Sequence, residues 1–178
     1  MVRAEQLIIK SARDLASMLG FRFALAMGVC FLMLVGLQHS PGIIEALAPI
    51  NVIIAKITAA ILQLFSMPVS QQAAVLSHPA GFSYKIYYKC TGLIAGGFLS
   101  TGLLVLPNRW KAKVMLVLLG VAMVLALNLV RLVSLYFIGV RYPQAFTFFH
   151  TVLWNIAMLV FMLGFWLRAL RRSEAYYK

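Results

Sequence analysis

Cysteine and histidine are the reactive side chains that this sequence could bring to one place. Cys90 begins an apolar run directly after Lys89, where a helix N-terminus and nearby cations would stabilise a nucleophilic thiolate. His150 begins the last apolar run and could serve as the general acid or base toward that thiol. Two alternatives stay open: Cys90 as a small hydrophobic residue, and His150 as part of an interfacial aromatic belt.

Arg131 lies deep inside a long apolar run, where an arginine costs about 2.5–3.5 kcal/mol on insertion scales. Asn128 precedes it by three residues and Ser134 follows it by three, so all three lie on roughly one helix face. A polar stripe facing lipid would be expensive, so the pattern predicts that it faces a functional site. The alternative is a cation that snorkels outward or pairs with backbone carbonyls.

The remaining cysteine and histidines lie in less informative surroundings. Cys30 is in the middle of the first apolar run without an ionisable neighbour, which predicts a packing role and makes it an internal control. His39 and His78 both adjoin prolines in turn-like segments, Gln-His-Ser-Pro and Ser-His-Pro. Neither begins a helix beside the one that carries Arg131.

The composition points to lipid as the main solvent of the chain. Of the 178 residues, 63% are hydrophobic and 11% are charged, and the charged residues comprise 16 Lys and Arg against four Asp and Glu. Soluble domains carry about 25% charged residues, so soluble enzymes are excluded. The scarcity of acids argues against paired-carboxylate catalysis and carboxylate metal sites, and the cations flank apolar spans instead of forming a nucleic-acid-binding stripe. We therefore expect no nucleic-acid partner, no metal and no cofactor.

The expected fold class is an all-α integral membrane protein, a bundle of about four transmembrane helices with an interfacial amphipathic helix and a short extended segment on the outer face. We expect one membrane domain over 1–178. Its segments are a cytoplasmic lead-in (1–22), a first span (23–38), an interfacial or re-entrant helix (43–66), an outer-face loop and strand (67–89), three further spans (90–106, 114–140 and 150–168) and a cytoplasmic tail (169–178).

Positive charges orient these segments. They concentrate before the first span, in the loop 107–113 and after the last span, and such clusters lie on the cytoplasmic side. The segment 43–66 then starts and finishes outside, which favours an interfacial helix whose polar stripe contains Glu45, Lys56 and Gln63. Cys90, Arg131 and His150 all fall at the outer face. The helix and the strand expected at Phe82–Lys89 stand just before Cys90, where they could line a substrate route.

Three short motifs in order resemble the exosortase/archaeosortase family of membrane transpeptidase-like enzymes. They are Cys90-Thr91-Gly92, with Thr in place of the commoner Ser, then Asn128-Leu129-Val130-Arg131, then a downstream His150. The resemblance covers about residues 85–155, and the chain is shorter at its N-terminus than many members. Gly92 and Gly96 also form a GxxxG spacing, which allows close helix packing.

The resemblance implies a cysteine protease/transpeptidase that sorts exported proteins in the bacterial cytoplasmic (inner) membrane, with its active site on the periplasmic face. Its substrates would carry a C-terminal motif, a transmembrane helix and a basic tail, and would pass through a thioester to a cell-surface or lipid-linked acceptor or to water. Cys90 would be the nucleophile, His150 the proton-transfer residue and Arg131 the oxyanion or thiolate stabiliser. The supporting residues would be Asn128, Thr91, Gly92, Ser134 and Tyr88.

Two other functions fit the same sequence. A non-enzymatic, transporter-type membrane subunit that binds a small molecule or a partner would be indifferent to Cys90→Ser. Another thiol acyltransferase would use Cys90 with a lipid thioester or an acyl-carrier donor.

Overall fold

The helices of this protein carry most of its described chain. The structure, a computed structural model, describes residues 20–33, 36, 40–106 and 108–174. The lead-in up to residue 19, His39, Pro107 and the last residues from 175 lie outside the described residues. The described helices are α1 (Gly20–Met33), α2 (Pro41–Ala46), α3 (Ala48–Leu64), α4 (Leu93–Val105), α5 (Trp110–Arg141), α6 (Pro143–Phe148) and α7 (Trp154–Glu174).

Within the described residues, three helical stretches are long and apolar enough to cross a membrane: Gly42–Leu64, Trp110–Arg141 and Pro143–Arg172. Two shorter apolar helices, Gly20–Met33 and Leu93–Val105, accompany them. A mostly helical membrane protein is therefore confirmed. The expected number of four spans is not confirmed.

The helix α4 forms a hairpin with α5, but it does not begin at Cys90 as we expected. It starts at Leu93, because Cys90 ends a 3-10 turn and Gly92 adopts a left-handed conformation. It ends at Val105, because the residue before a proline, here Leu106, disfavours the helical conformation. Its 13 residues span about 20 Å, less than a bilayer core.

The last helical stretch also differs from the expectation that His150 opens it. The stretch begins seven residues earlier, at Pro143, and passes through a π-helical turn, Phe149–Leu153, that contains His150. Proline at a helix start lacks only an amide hydrogen that would be unpaired there. Pro143 therefore separates α6 from α5 and allows the chain to return as a helix at once.

The N-terminal end of α5 and the C-terminal end of α7 are both cationic and lie together, opposite Cys90 and His150, whereas Arg141 stands at the other end of α5. The buried residues Leu99, Leu103, Leu106, Val124 and Ala169 join α4, α5 and α7 into one core. Lys113 donates a hydrogen bond from Nζ to the Leu104 carbonyl at 2.7 Å, beside this core. Since Ala169 lies between Arg168 and Arg171, the cations of α7 share that end.

The segment expected as an interfacial helix is the pair α2 and α3, broken at Leu47. Its polar residues Glu45, Lys56 and Gln63 are all exposed. Ile53 and Ile57 are also exposed, about 60–120° around the helix from Lys56 and Gln63. The interfacial placement is not confirmed, because the length and hydropathy of Gly42–Leu64 also suit a span.

Between α3 and α4 the chain forms a small antiparallel sheet instead of a single strand. The strands are β1 (Ser70–Gln72), β2 (Val75–Ser77) and β3 (Ser83–Lys85), in the order β1-β2-β3. The extended segment expected at Phe82–Lys89 is thus shorter, and the hairpin before it was not expected. Its turn contains Ala73 at φ 49°, where Asn or Gly would give the usual sequence signal.

Candidate active site

Cys90 is held in a tight turn that its own neighbours build. Its amide donates to the Tyr87 carbonyl at 2.8 Å, and the Thr91 hydroxyl folds back to the Tyr88 carbonyl at 2.6 Å. Thr91 is fully buried, and Cys90 is 9% exposed. The hydroxyl of Thr91 therefore closes the turn that carries the thiol, and Tyr88 contributes a carbonyl to it.

Gly92 lets this turn lie directly on α5. Its φ of 82° is left-handed, a backbone conformation that residues other than glycine rarely adopt. A Cβ at Gly92 would lie 3.2 Å from the Cβ of Asn128. The glycine thus serves both the turn and the close approach of Asn128.

Asn128 ties the turn to α5 by a buried hydrogen bond. Its Nδ2 donates to the carbonyl of Cys90 at 2.8 Å, and the side chain is 1% exposed. This bond fixes the orientation of the amide, so Oδ1 is the atom left over, buried and without a partner among the described residues. The carboxamide therefore anchors the backbone of Cys90 and retains one free acceptor.

The thiol of Cys90 meets the imidazole of His150. The Sγ–Nε2 distance is 3.5 Å, across 60 positions of the sequence. One face of His150 stacks on Phe146, with ring centroids 5.6 Å apart and an interplanar angle of 6°. This geometry allows proton exchange between the thiol and Nε2.

Arg131 reaches the same place from α5. It is 8% exposed, and its Nη2 donates to the His150 carbonyl at 3.2 Å, while its buried Nε has no partner among the described residues. The alternative that Arg131 pairs with a backbone carbonyl is therefore realised, but the carbonyl belongs to His150. Ser134 donates to the carbonyl of Arg131 at 2.8 Å, within its own helix.

An aromatic cluster connects the sheet to His150, and sequence reasoning missed it. Phe146 lies 6.0 Å from Tyr84 and 5.5 Å from Phe82, measured between ring centroids. The Tyr84 hydroxyl donates to the Leu132 carbonyl at 3.0 Å. Phe146 stands one helical turn before His150, a signal that a helix starting at Pro143 would have revealed.

The environment of Tyr84 also reports its closeness to the thiol. Burial raises the pKa of Tyr84 well above its ordinary value, and negative charge on Cys90 raises that pKa further. The phenol therefore stays protonated and acts as a hydrogen-bond donor.

The residues considered less informative lie elsewhere. The Sγ of Cys30 accepts a hydrogen bond from the Thr101 hydroxyl at 3.3 Å, between α1 and α4. His78 is in the sheet region, where its Nδ1 accepts from the Ala80 amide at 3.0 Å. Within the described part of the chain, no three His, Cys, Asp or Glu side chains are grouped so that they could hold a metal ion.

Residues 14–167 match the family model described as transmembrane exosortase (Exosortase_EpsH). The chain belongs to this family. Membership supports an integral membrane protein with a transpeptidase-type role in general. No curated protein and no solved structure matches the chain.

Proposed function

We propose that this exosortase is a membrane cysteine protease/transpeptidase that cleaves the C-terminal sorting signal of exported proteins and transfers them to a cell-surface acceptor. The observation that carries the proposal is the 3.5 Å contact between Cys90 Sγ and His150 Nε2. A nucleophile within hydrogen-bond reach of a base, with the base oriented by a third group, is the arrangement of covalent catalysis. Phe146 is that third group, because its ring stacks on the imidazole, while Arg131 holds the backbone carbonyl of His150.

The first half of the reaction forms a thioester. His150 Nε2 removes the thiol proton as Cys90 Sγ attacks the carbonyl carbon of the scissile peptide bond, giving a tetrahedral oxyanion. The Nε–H of Arg131 has no partner among the described residues, and we assign it as the donor that stabilises this oxyanion in a water-poor site. The C–N bond then breaks, the protonated His150 gives its proton to the leaving amine, and the substrate remains bound to sulfur.

The second half releases the substrate. An acceptor hydroxyl or amine, or water, loses its proton to His150 Nε2 and attacks the thioester carbon. The C–S bond breaks, and the proton returns to the Cys90 thiolate. Each step needs only the groups of Cys90, His150 and Arg131, so the proposed reaction requires no cofactor.

The arrangement of charge supports an active site on the periplasmic face of the bacterial inner membrane. Lys111, Lys113 and the arginines after residue 167 lie at the helix ends opposite the thiol. Cationic ends of membrane helices face the cytoplasm. The substrate would present its C-terminal motif outside the membrane, with its transmembrane helix and basic tail below.

Processing of a reporter tests this proposal. A soluble reporter with a candidate C-terminal signal from the same genome is co-expressed with wild type, Cys90→Ser, His150→Ala or Arg131→Ala. We expect His150→Ala to process about 10²–10⁴-fold more slowly, and Arg131→Ala about 10²–10³-fold, by the usual worth of such groups. Cys90→Ser should give no shortened product and no hydroxylamine-sensitive adduct.

Cys30→Ser is the matched control, because Cys30 lies between α1 and α4 and outside the contact of Cys90 with His150. All variants are compared at equal amounts in the membrane fraction. Unchanged processing by Cys90→Ser would refute the proposal in favour of a binding subunit. Modification of the reporter through Cys90 without shortening would indicate a different thiol acyltransferase.

A further inference from the structure

The sheet has an edge strand that leads to the site. In the order β1-β2-β3, β1 and β3 are the edge strands, and α3 contacts both β1 and β2. β3 leads directly toward the site, because only the residues 86–89 separate its end from Cys90. Both Ser83 and Lys85 are exposed.

The hydrogen-bond pattern defines which backbone groups are at the edge of β3. The Ile86 amide donates to the Ala74 carbonyl at 2.8 Å, and the His78 amide donates to the Phe82 carbonyl at 2.7 Å. Along an antiparallel strand, successive residues alternate between facing the partner and facing away. Residues 82, 84 and 86 therefore face β2, and the N–H and C=O groups of Ser83 and Lys85 point away from it.

We propose that the free edge of β3 pairs with an extended segment of the substrate, immediately upstream of the scissile bond, as a fourth strand of the sheet. This inference rests on the proposed function and names how the substrate is held. Strand addition to a sheet edge gives affinity through main-chain hydrogen bonds, and it leaves the substrate side chains free to vary.

The direction of the substrate follows from the path of β3. β3 runs from the turn at Gly81, beside Gly139 near the end of α5, toward Cys90, which lies beside Asn128 deeper in α5. A substrate whose transmembrane helix follows its cleavage motif also enters the membrane in that direction. The two strands would therefore be parallel, with the scissile bond a few residues beyond the segment that pairs with Lys85.

The sheet and the reacting atoms are mechanically connected. The Tyr84 ring on β3 contacts Phe146, whose ring stacks on His150. A substrate strand that orders the edge of β3 would thus also steady the imidazole. Tyr84, beside the proposed substrate strand, and His150, beside the thiol, are therefore both packed against Phe146.

Exposed lysines on and after β3 favour a negatively charged substrate segment. Lys85 lies 5.3 Å above the ring of Tyr87, and Lys89 lies 5.8 Å above the ring of Tyr88. The sheet itself, residues 70–85, contains no Asp or Glu. Acidic side chains in the paired segment would therefore be attracted, and the attraction should weaken with salt.

Proline substitutions at the outward-facing positions test the edge. Ser83→Pro and Lys85→Pro each remove one amide donor from the free edge and leave the bonds to β2 intact, since proline is tolerated where the amide faces away. We expect each variant to lower kcat/KM for the reporter about 3–10-fold, the usual worth of one backbone hydrogen bond. Ser83→Ala and Lys85→Ala are the matched controls, because they change only the side chain.

A second readout separates binding from folding. The rate at which N-ethylmaleimide alkylates Cys90, measured in a Cys30→Ser background, should be unchanged in both proline variants. If either variant fails to insert, a proline scan of the ten residues upstream of the reporter cleavage site replaces it, with the wild-type enzyme. Strand pairing predicts that processing falls at alternate positions.

Two results would overturn the inference. One is wild-type processing by Ser83→Pro and Lys85→Pro together with a proline scan that shows no alternation. The other is a covalent dimer through Ser83→Cys in membranes without substrate, because a second copy would then occupy the edge. Both results would leave processing dependent on Cys90. Failure of the proposed function would instead appear as unchanged processing by Cys90→Ser, so the two failures are distinguishable.

Discussion

Replacing Gly92 with alanine should impair the site through a cost that the structure lets us divide into two parts. The first part is the backbone, because φ is 82° and a left-handed conformation costs an L-residue about 1–2 kcal/mol. The second is the contact, because the new Cβ would stand 3.2 Å from Cβ and 3.3 Å from Cγ of Asn128. Moving Asn128 by a few tenths of an ångström would weaken its bond to the Cys90 carbonyl, worth about 1 kcal/mol.

The sum is about 2–3 kcal/mol, or about 30–150-fold in rate if the whole cost is felt in the transition state. Gly81→Ala separates the two parts, because Gly81 has φ 94° and nothing within 4 Å of its added Cβ. The assay is kcat/KM for reporter processing at matched membrane levels. The reasoning is refuted if Gly92→Ala and Gly81→Ala process at the same rate.

The remaining predictions concern the aromatic cluster behind His150. A Cβ on Gly139 would overlap the Phe82 ring, which also contacts Phe146, so Gly139→Ala should disturb this packing and lower kcat/KM by the roughly 1–3 kcal/mol usual for overpacking. Adding Phe82→Leu should recover part of the loss. Strictly additive losses in the double variant would contradict this. Because the raised pKa of Tyr84 lets the folded state keep a proton that the unfolded state releases, stability should be unaffected below about pH 10 and fall above it. Tyr84→Phe should reduce the fall of stability with pH in alkaline unfolding monitored by ellipticity, and Tyr87→Phe, at an exposed tyrosine, should not. An unchanged dependence of stability on pH in Tyr84→Phe would disprove the link.

The sequence predicts a shared site best for polar residues that stand alone in an apolar run, because such residues are costly in lipid. Arg131 is costly in lipid, and Asn128 shares its face at a spacing of three residues, so their common direction could be predicted without knowing the partner. Cys90 and His150 were predicted to lie near Arg131 because the expected topology places all three at the outer face and because their order matches the family motifs. The exact contact, 3.5 Å between Sγ and Nε2, depends on how three helices pack and could not be predicted.

The helix boundaries at the site were wrong for a local reason. Hydropathy places the start of a span where the apolar run begins, but Cys90 is in a 3-10 turn and His150 in a π-helical turn. Both turns put a polar, reactive side chain at a place where a regular helix would direct it differently, and neither has a hydropathy signature. The hairpin of the sheet escaped notice because Ala73 holds the left-handed position usually marked by Asn or Gly.

The helix α5 holds Cys90 and His150 through their backbones and does not bind their side chains. Asn128 binds the carbonyl of Cys90, and Arg131, one turn further along, binds the carbonyl of His150. Both bonds end on main-chain oxygens. They therefore position Cys90 and His150 without using Sγ or Nε2 as a hydrogen-bond partner. Each of the two α5 side chains also has one buried polar atom with no partner in the described part of the chain, an acceptor on Asn128 and a donor on Arg131. Under the proposed function, these two side chains would therefore align the nucleophile and the base by fixing the backbones that carry them, without competing for the reacting atoms.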